Sequence, residues 1–346
     1  MQYLKSFYED KIILITGGVG SIGSEIVKSV LDYNPEVVRV LDINETGLFN
    51  LEHELQYEKL RLFVGDIKDK ERLQRAIEGV DIVFHAAALK HVPLCEYNPF
   101  EAVKTNVHGT QNLIDVAIDE EVEKFIAIST DKAVNPVNVM GATKMLAERL
   151  TISANFYKGE RETAFSCVRF GNVLDTVGSV IPLFRNQIKN GGFLTVTDPG
   201  MTRFMMSISK AVELVLKSAE MAKGGEVFIF KMPVLRVGDL AEMMIHELAP
   251  KYGHDPDKIK IKNIGKRPGE KLYEELMTEE ESENAYENEE MFVVLPQTAD
   301  IQFGVSYKLP DTFEKAQRSE YSYKSESVKL LTKEEIGAII RETESF

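Results

Sequence analysis

The sequence predicts an α/β protein built on a doubly wound parallel sheet, with a smaller C-terminal lobe. Three observations carry that expectation. Apolar runs of strand length alternate with helix-like stretches through the first half of the chain. The runs are continuous rather than alternating, as in strands buried on both faces. The first of them leads straight into a glycine-rich turn. Strand, helix, strand in that order implies parallel strands with helices on both sides and right-handed crossovers.

The elements follow in order. Ile12 to Thr16 reads as a buried strand, and Ile22, Ile26 and Val30 then recur every four residues, one face of a helix. Val37 to Leu41 is a second strand ending at Asp42, Leu62 to Val64 a third ending at Asp66, Ile82 to His85 a fourth and Phe125 to Ser129 a fifth. The second half is more mixed. Gly, Pro and Thr punctuate residues 191–201, a loop and short-strand region, and Val237 to Leu248 has helical periodicity. Residues 271–290 hold nine Glu and one Lys, which reads as a solvated helix end or hairpin. Thr332 to Glu335 fits a capping box that opens a last helix.

Composition narrows the class. The 346 residues suggest one large domain or two intimately joined ones. With 44% hydrophobic and 28% charged residues the chain is neither disordered, collagen-like nor a coiled coil. A net charge of −14 argues against nucleic acid as a partner, because phosphate binding needs a basic face. It leaves room for a small anionic substrate held by a few placed cations. Two cysteines, Cys95 and Cys167, build no disulfide framework and point to a reducing compartment. The N-terminal stretch has no apolar signal region, and the apolar runs fall short of the ~20 residues of a membrane helix. The expectation is a soluble cytoplasmic protein with no membrane partner. The six histidines form no ligand-spaced cluster, so no metal site is expected.

The first turn, Gly17-Gly18-Val19-Gly20-Ser21-Ile22-Gly23, has the G-x-x-G-x-x-G spacing between strand and helix. Its glycines permit a tight turn, close backbone approach to a pyrophosphate and helix-to-strand packing, while the helix N-terminus offers donors to phosphate. Gly17, Gly20, Ser21, Ile22 and Gly23 are therefore candidate cofactor contacts. Asp42, ending the second strand, is placed to accept from the adenosine ribose hydroxyls, which favours NAD, although NADP is possible and Asp42 could instead cap a turn. Asp66 and Ile67 after the third strand, and Ala86 and Ala87 after the fourth, complete the set. Ser129 to Ala133 follows the fifth strand at the carboxyl edge, where doubly wound sheets bind ligands. Lys144 follows at helical spacing. It is either a holder of the nicotinamide ribose or a solvated helix lysine.

Six segments, TGGVGSIG (16–23), HAAALKHVP (85–93), TNVHGT (105–110), STDKAVNPVNVMGATK (129–144), VRFGNV (168–173) and RPGEKLYEEL (267–276), together resemble the extended short-chain dehydrogenase/reductase superfamily. The chain is similar, more narrowly, to the UDP-N-acetylglucosamine 4,6-dehydratases of capsule, flagellin and surface-glycan biosynthesis. The resemblance implies a Rossmann fold and a chemistry that regenerates its cofactor. C4 of the hexose is oxidised, the C5 proton becomes acidic, water leaves from C5 and C6, and reducing equivalents return to C6. The implied product is a 4-keto-6-deoxy sugar nucleotide.

By that resemblance Lys132 is the base at C5 and must be neutral, with Lys144 and an oxidised nicotinamide depressing its pKa. Asp131 is the protonated acid at the C6 oxygen, and Thr130 bonds the C4 hydroxyl. Lys144 orients the nicotinamide ribose. An Asp131–Lys132 ion pair is the competing structural reading. Met140 stands where the superfamily usually has the C4-hydroxyl base, Tyr, as in a subset of the dehydratases. A thioether takes no proton, so the C4 proton falls to Asp131 or to a water relay through Thr130 and Lys144. Asp175-Thr176-Val177 departs from the Gly-Ser-Arg of relatives. The UDP contacts implied are Asn172 and Arg203 at the diphosphate, Arg267 at phosphate or ribose and Glu270 at the uridine ribose. The backbone of Thr195 to Thr197 would meet the uracil edge. Lys90 and His91 face the same cleft by topology.

The corresponding domains are 1–170 for the dinucleotide, with part of 205–235 returning to it, and 171–204 plus 236–310 for the nucleotide sugar. Residues 311–346 form a tail with the terminal helix. Relatives assemble through helices beside the nicotinamide site, which implies a homo-oligomer, a dimer or larger. Two other readings stay open at this point: another activity of the superfamily, such as a UDP-sugar epimerase, and a non-catalytic regulator that binds NAD(P).

Overall fold

The computed structural model describes residues 2–296, 309–316 and 322–343. Seven parallel strands form the spine of one ten-stranded sheet: β1 (Ile12–Thr16), β2 (Val37–Asp42), β3 (Leu60–Val64), β4 (Ile82–His85), β5 (Lys124–Thr130), β6 (Ala164–Phe170) and β10 (Val227–Phe230). Their order across the sheet is β3-β2-β1-β4-β5-β6-β10, so the chain reverses direction of travel between β1 and β4. That crevice, at the carboxyl ends of the strands, is where such sheets bind ligands. All four residues of β4 are buried, as a continuous apolar run implies, and all seven of β6 are buried although Ser166 and Arg169 interrupt its apolar run.

Helices cover both faces. Ser21–Leu31 and Ile208–Met221 pack together, and Lys70–Ile77, Thr110–Asp119 and Val139–Tyr157 form a second packed series. The sequence-read helix over 237–248 is present with those bounds. The capping box at its expected place opens the last helix, Lys333–Thr343: the Thr332 N–H donates to Glu335 at 2.7 Å, and the Glu335 N–H to the Thr332 hydroxyl at 3.2 Å. No helix among the described residues is long and apolar enough to cross a membrane.

A second, smaller core stands beside the sheet. Helices Val180–Lys189, Val237–Leu248 and Lys333–Thr343 bring Phe184, Leu240, Met244, Ile336 and Ile340 together. Its short strands are β8 (Leu194–Val196), paired with β12 (Ile261–Asn263), and β9 (Thr202–Met206), paired with β7 (Asn172–Val173) and β11 (Val234–Arg236). One expectation needs correcting. Within the 236–310 segment assigned to the lobe, β15 (Met291–Val294) pairs antiparallel with β10, β14 (Ala285–Glu287) pairs antiparallel with β15, and β16 (Glu314–Lys315) from the tail pairs with β14. The open edge of β10 supplies unpaired backbone groups that a following hairpin satisfies. Residues 297–308, 317–321 and 344–346 of the lobe and tail assignments lie outside the described residues.

The acidic run is corrected in part. Glu274 and Glu275 are buried, and Glu281 is mostly so. Glu281 clamps the Arg169 guanidinium with two bonds of 2.9 Å, and Glu148 holds the same group from the other side, its closest contact at the second terminal nitrogen. Glu274 and Glu281 are thus internal cation partners and Glu275 accepts from Asn135, while Glu279, Glu280 and Glu283 stay exposed about the short helix Glu279–Ser282, as a solvated helix end should.

Candidate active site

The glycine-rich turn is shaped by backbone contact. Gly17 has φ +68°, and a Cβ there would lie 2.6 Å from the Ala87 nitrogen, so the turn presses directly on the loop after β4. Beneath it His85 is buried between two hydroxyls, Thr16 at 2.8 Å and Thr110 at 2.9 Å. Burial first, and then the positive charge of Lys144, lower its pKa to about 3, so it stays neutral. The Asp42 carboxylate accepts from the Val19 N–H at 3.2 Å and the Asn44 N–H at 3.0 Å. It both caps the turn and keeps lone pairs free for a ligand, since each oxygen has two. Asp66 accepts from the Lys68 N–H at 2.9 Å, and Ile67 is buried. A helix N-terminus, a side-chain-free turn and a carboxylate one strand over fit a dinucleotide.

Past the turn lies a cavity of about 280 Å³. Ile22, Ala86, Lys90, His91, Thr130, Lys132, Met140, Lys144 and Asn172 all line it, so the topology gathers residues from five separated segments. Lys144 donates to the Ile128 carbonyl at 2.6 Å, and burial lowers its pKa. Met140 is only 3% exposed and packs with Cys95 and Ala102. No proton-transferring group occupies that position. The loop that departs from the family pattern closes over the turn: the Val177 N–H donates to the Ser21 hydroxyl at 3.1 Å, Asp175 pairs with Arg185 at 2.9 Å, and Gly178 lies against the His91 ring.

Thr130, Asp131 and Lys132 sit where β5 gives way to a single helical turn, Asp131–Ala133. Asp131 is fully buried behind its neighbours. Its Oδ1 accepts from the Thr130 hydroxyl at 2.8 Å and from the Lys132 ammonium at 2.9 Å, and its Oδ2 is buried without a partner among the described residues. This geometry is the ion pair. Burial pulls the Lys132 pKa down, but the attraction of Asp131 and Glu274 outweighs it and the group ends above its ordinary value. Against the expectation of a neutral Lys132, these surroundings favour its charged form, because the attraction of Asp131 and Glu274 also outweighs the repulsion of Arg203. Its backbone is pinned too, since a Cβ on Gly141 would lie 2.2 Å from the Lys132 carbonyl oxygen.

Two further cavities continue from the first. One of about 200 Å³ is lined by Lys132, Asn172, Arg203, Arg267, Glu270 and Glu274. The other, of about 500 Å³, is lined by Asn172, Thr195, Thr197, Arg203, Arg267 and Glu270 among others. Asn172 borders all three, and its Oδ1 is buried without a partner among the described residues. The result is one trench from the nicotinamide side to the lobe. A larger open groove of about 1150 Å³ lies along residues 266–283 and contains neither Thr130 nor Lys132.

The structure qualifies three of the proposed substrate contacts. The Thr195 N–H donates to Gln187 at 3.0 Å and the Val196 carbonyl accepts from Ile264 at 2.9 Å, so pairing with β12 occupies most of the backbone expected to read uracil. The Arg203 guanidinium donates to the Thr202 and Lys271 carbonyls at 2.8 and 2.9 Å, which leaves fewer donors for phosphate than a free arginine has. Glu270 accepts from the Arg267 N–H at 3.0 Å.

Glu274 carries no role in the sequence reading, yet it is only 3% exposed and stands 4.0 Å from Lys132 and 3.8 Å from Arg203. Adjacent glutamates in the strand-like LYEEL were the signal, because a buried carboxylate needs a cation nearby. The whole 267–276 segment is stitched to 132–138. Asn138 donates to the Gly269 carbonyl at 2.9 Å, Lys271 to the Val134 carbonyl at 2.8 Å, and Asn135 to Glu275 at 2.7 Å.

Comparison with known proteins agrees with this geometry. The profile of the family described as polysaccharide biosynthesis protein matches residues 13–296. An uncharacterized membrane protein of Methanocaldococcus jannaschii is 65% identical over 341 residues, 99% of this chain and 98% of that protein. A UDP-N-acetylglucosamine 4,6-dehydratase (inverting) of Campylobacter jejuni is 41% identical over 344 residues, covering 98% of this chain and all of that enzyme. A protein named UDP-glucose 4-epimerase in Rickettsia akari is 42% identical over 282 residues, 80% and 81% of the two chains. The X-ray structure of Pen from Bacillus thuringiensis superposes with a TM-score of 0.89 at 45% identity, covering 97% of this chain and 98% of that one. A match over more than two thirds of the chain, with near full-length relatives, settles the assignment: this chain belongs to the polysaccharide biosynthesis protein family.

Proposed function

We propose that the protein is a nucleotide-sugar 4,6-dehydratase acting on UDP-N-acetylglucosamine or a related UDP-sugar. A nicotinamide dinucleotide bound at the glycine-rich turn supplies a reversible two-electron acceptor for C4 of the hexose. The observation that carries the reading is the hydrogen-bonded triplet Thr130–Asp131–Lys132, in which Thr130 and Lys132 line the cavity beside Met140 and Asp131 is buried directly behind them. Thr130 accepts the C4 hydroxyl proton while passing its own to Asp131 across 2.8 Å. Asp131 thereby acts on C4 through Thr130, which removes the need for a tyrosine at 140. Asp131 then holds the proton that the C6 oxygen requires to leave as water. Lys132, the nearest amine, takes the proton from C5, acidified by the new ketone. Such positioned proton transfers each contribute about 10²–10⁴ in rate.

The Campylobacter dehydratase supports the substrate assignment, and the trench from Lys132 past Asn172 to Arg267 has room for a sugar joined to a nucleotide. The Rickettsia relatives favour an epimerase as second reading. An epimerase has no use for a C5 base.

The two are separated by the NMR spectrum of the product made from UDP-N-acetylglucosamine and NAD in deuterated water. The expected product is a 4-keto-6-deoxy sugar with deuterium at C5. A C4 epimer that keeps its C6 oxygen, or an unchanged sugar, overturns the proposal.

A further inference from the structure

The ion pair leaves one proton without an account. Lys132 enters the reaction as an ammonium held by Asp131, 2.9 Å away, yet it must be neutral to remove the C5 proton. Asp131 cannot relieve it, because in the proposed sequence Asp131 has just received the C4 hydroxyl proton through Thr130. A second acceptor must stand near Nζ.

Only one other carboxylate within ion-pair range of that nitrogen is found among the described residues. Glu274 Oε1 lies 4.0 Å from Lys132 Nζ, on the wall of the cavity that both side chains share with Asn172. Its Oε2 is buried with no hydrogen-bond partner among the described residues, an open acceptor site in a place where such sites are costly. Its backbone is anchored rather than mobile: the Glu274 N–H donates to the Ser325 hydroxyl at 2.9 Å, and its carbonyl accepts from the Ser325 N–H at 2.9 Å. That separation exceeds hydrogen-bond distance, so proton transfer requires the lysine side chain to move toward the carboxylate.

We propose that Glu274 is a positioning residue for the Lys132 proton, taking it before the C5 step and giving it back afterwards. This rests on the dehydratase reading and deepens it. The protons balance over a cycle. At the start Asp131 and Glu274 are carboxylates and Lys132 is an ammonium. C4 oxidation places the hydroxyl proton on Asp131. Lys132 passes its proton to Glu274 and, now neutral, removes the C5 proton. Asp131 protonates the leaving C6 oxygen, so the C6–O bond breaks and water departs. C6 regains the two electrons lost by C4, and Lys132 protonates C5. Glu274 then returns its proton to Lys132 and the starting state is restored.

The surroundings suit the role. Burial raises the Glu274 pKa more than Lys132 lowers it. Arg203 from β9 at 3.8 Å and Lys271 from the adjoining loop pull the other way, which keeps the carboxyl able to release the proton again. Arg267 and Glu270 face it across the same cavity.

The test is Glu274→Gln in the full chain, with NAD and UDP-N-acetylglucosamine in deuterated water across pH 6 to 10. C4 oxidation in the first turnover, read as reduced nicotinamide absorbance, should fall far less than the C5 step. C5 deuterium exchange should fall about 100-fold at neutral pH, the scale of one lost proton-transfer partner. It should then climb with pH as Lys132 loses its proton to solvent. Glu274→Asp should restore part of the wild-type profile, and thermal unfolding of both variants reports that the fold is intact. Exchange with the wild-type rate and pH profile overturns the inference. A drop of equal factor in oxidation and exchange at every pH also overturns it, since that marks a structural role. A wild-type protein that never oxidises C4 or never loses water sinks the dehydratase reading itself, a result distinct from either.

Discussion

Lys132 is the residue on which the chemistry turns, and its structure is a conflict: a base stored as an ion pair. Replacing Lys132 with Ala should leave nicotinamide dinucleotide binding and first-turnover C4 oxidation in place and lower C5 deuterium exchange by about 10²–10⁴. Exchange followed by NMR, with cofactor binding followed by fluorescence, checks both halves. Met140 makes the opposite prediction. It packs against Cys95 and Ala102 and borders the cavity, so Met140→Tyr must turn its larger ring into that cavity or repack the wall behind it. Dinucleotide binding should survive, because Lys144 and the turn are untouched, while stability falls by about 1–3 kcal/mol. Urea denaturation measures that loss. Neither effect is legible from the sequence alone. Residue type shows that a thioether carries no proton, but only the structure shows which groups Met140 packs against and which cavity it borders.

Among the elements, the helix Val139–Tyr157 and the 267–276 segment place the site. Asn138 caps the helix by accepting from the Gly141 N–H at 2.7 Å and holds the Gly269 carbonyl with its amide. Gly141 lets the first turn rest on the Lys132 backbone. In Gly141→Ala the new Cβ would meet the Lys132 carbonyl oxygen at 2.2 Å, so the catalytic turn must shift. The expected outcome is a fall in kcat greater than any fall in dinucleotide affinity, with about 1–3 kcal/mol of stability lost. Steady-state kinetics beside cofactor titration checks it. Strand positions were legible here because apolar runs on buried parallel strands are unbroken. The destiny of residues 271–290 was not. The nine glutamates read as a solvated helix end or hairpin, which holds for Glu279, Glu280 and Glu283, but Glu274, Glu275 and Glu281 find Lys132, Asn135 and Arg169, all more than one hundred residues away in sequence.

For the whole molecule, the Arg169 network ties the sheet to the returning hairpin. Attraction to Arg169 outweighs burial and holds the Glu281 pKa below its ordinary value. A depressed carboxylate stabilises the fold above its unfolded pKa of about 4.3, and that contribution is lost as pH falls through the folded value. Arg169→Met leaves Glu281 buried without its cation, so stability at neutral pH should drop by about 3–5 kcal/mol. The sign of the acid dependence should also invert, with the variant gaining stability as the solution is acidified from pH 7 toward 5. Urea unfolding at a series of pH values distinguishes the two curves. The proposed homo-oligomer is a prediction at the same scale. Leu146, Phe156 and Tyr157 are exposed on the helix beside the cavity, and sedimentation of the full chain should give a dimer or larger, shifted toward monomer in Leu146→Glu.

Local pattern determined the parallel sheet, its glycine-rich turn, the helix over 237–248, the last capping box and the sequence stretch bearing Thr130, Asp131 and Lys132. Each of these depends on neighbours a few residues apart, where periodicity and backbone freedom act directly. Tertiary structure alone decided the charge state of Lys132, the burial of Glu274, the extension of the sheet by residues 285–294 and the occupied backbone at Thr195. All of these arise where distant segments meet, because burial and ion pairing depend on which groups approach across space, and that is not written in the spacing along the chain.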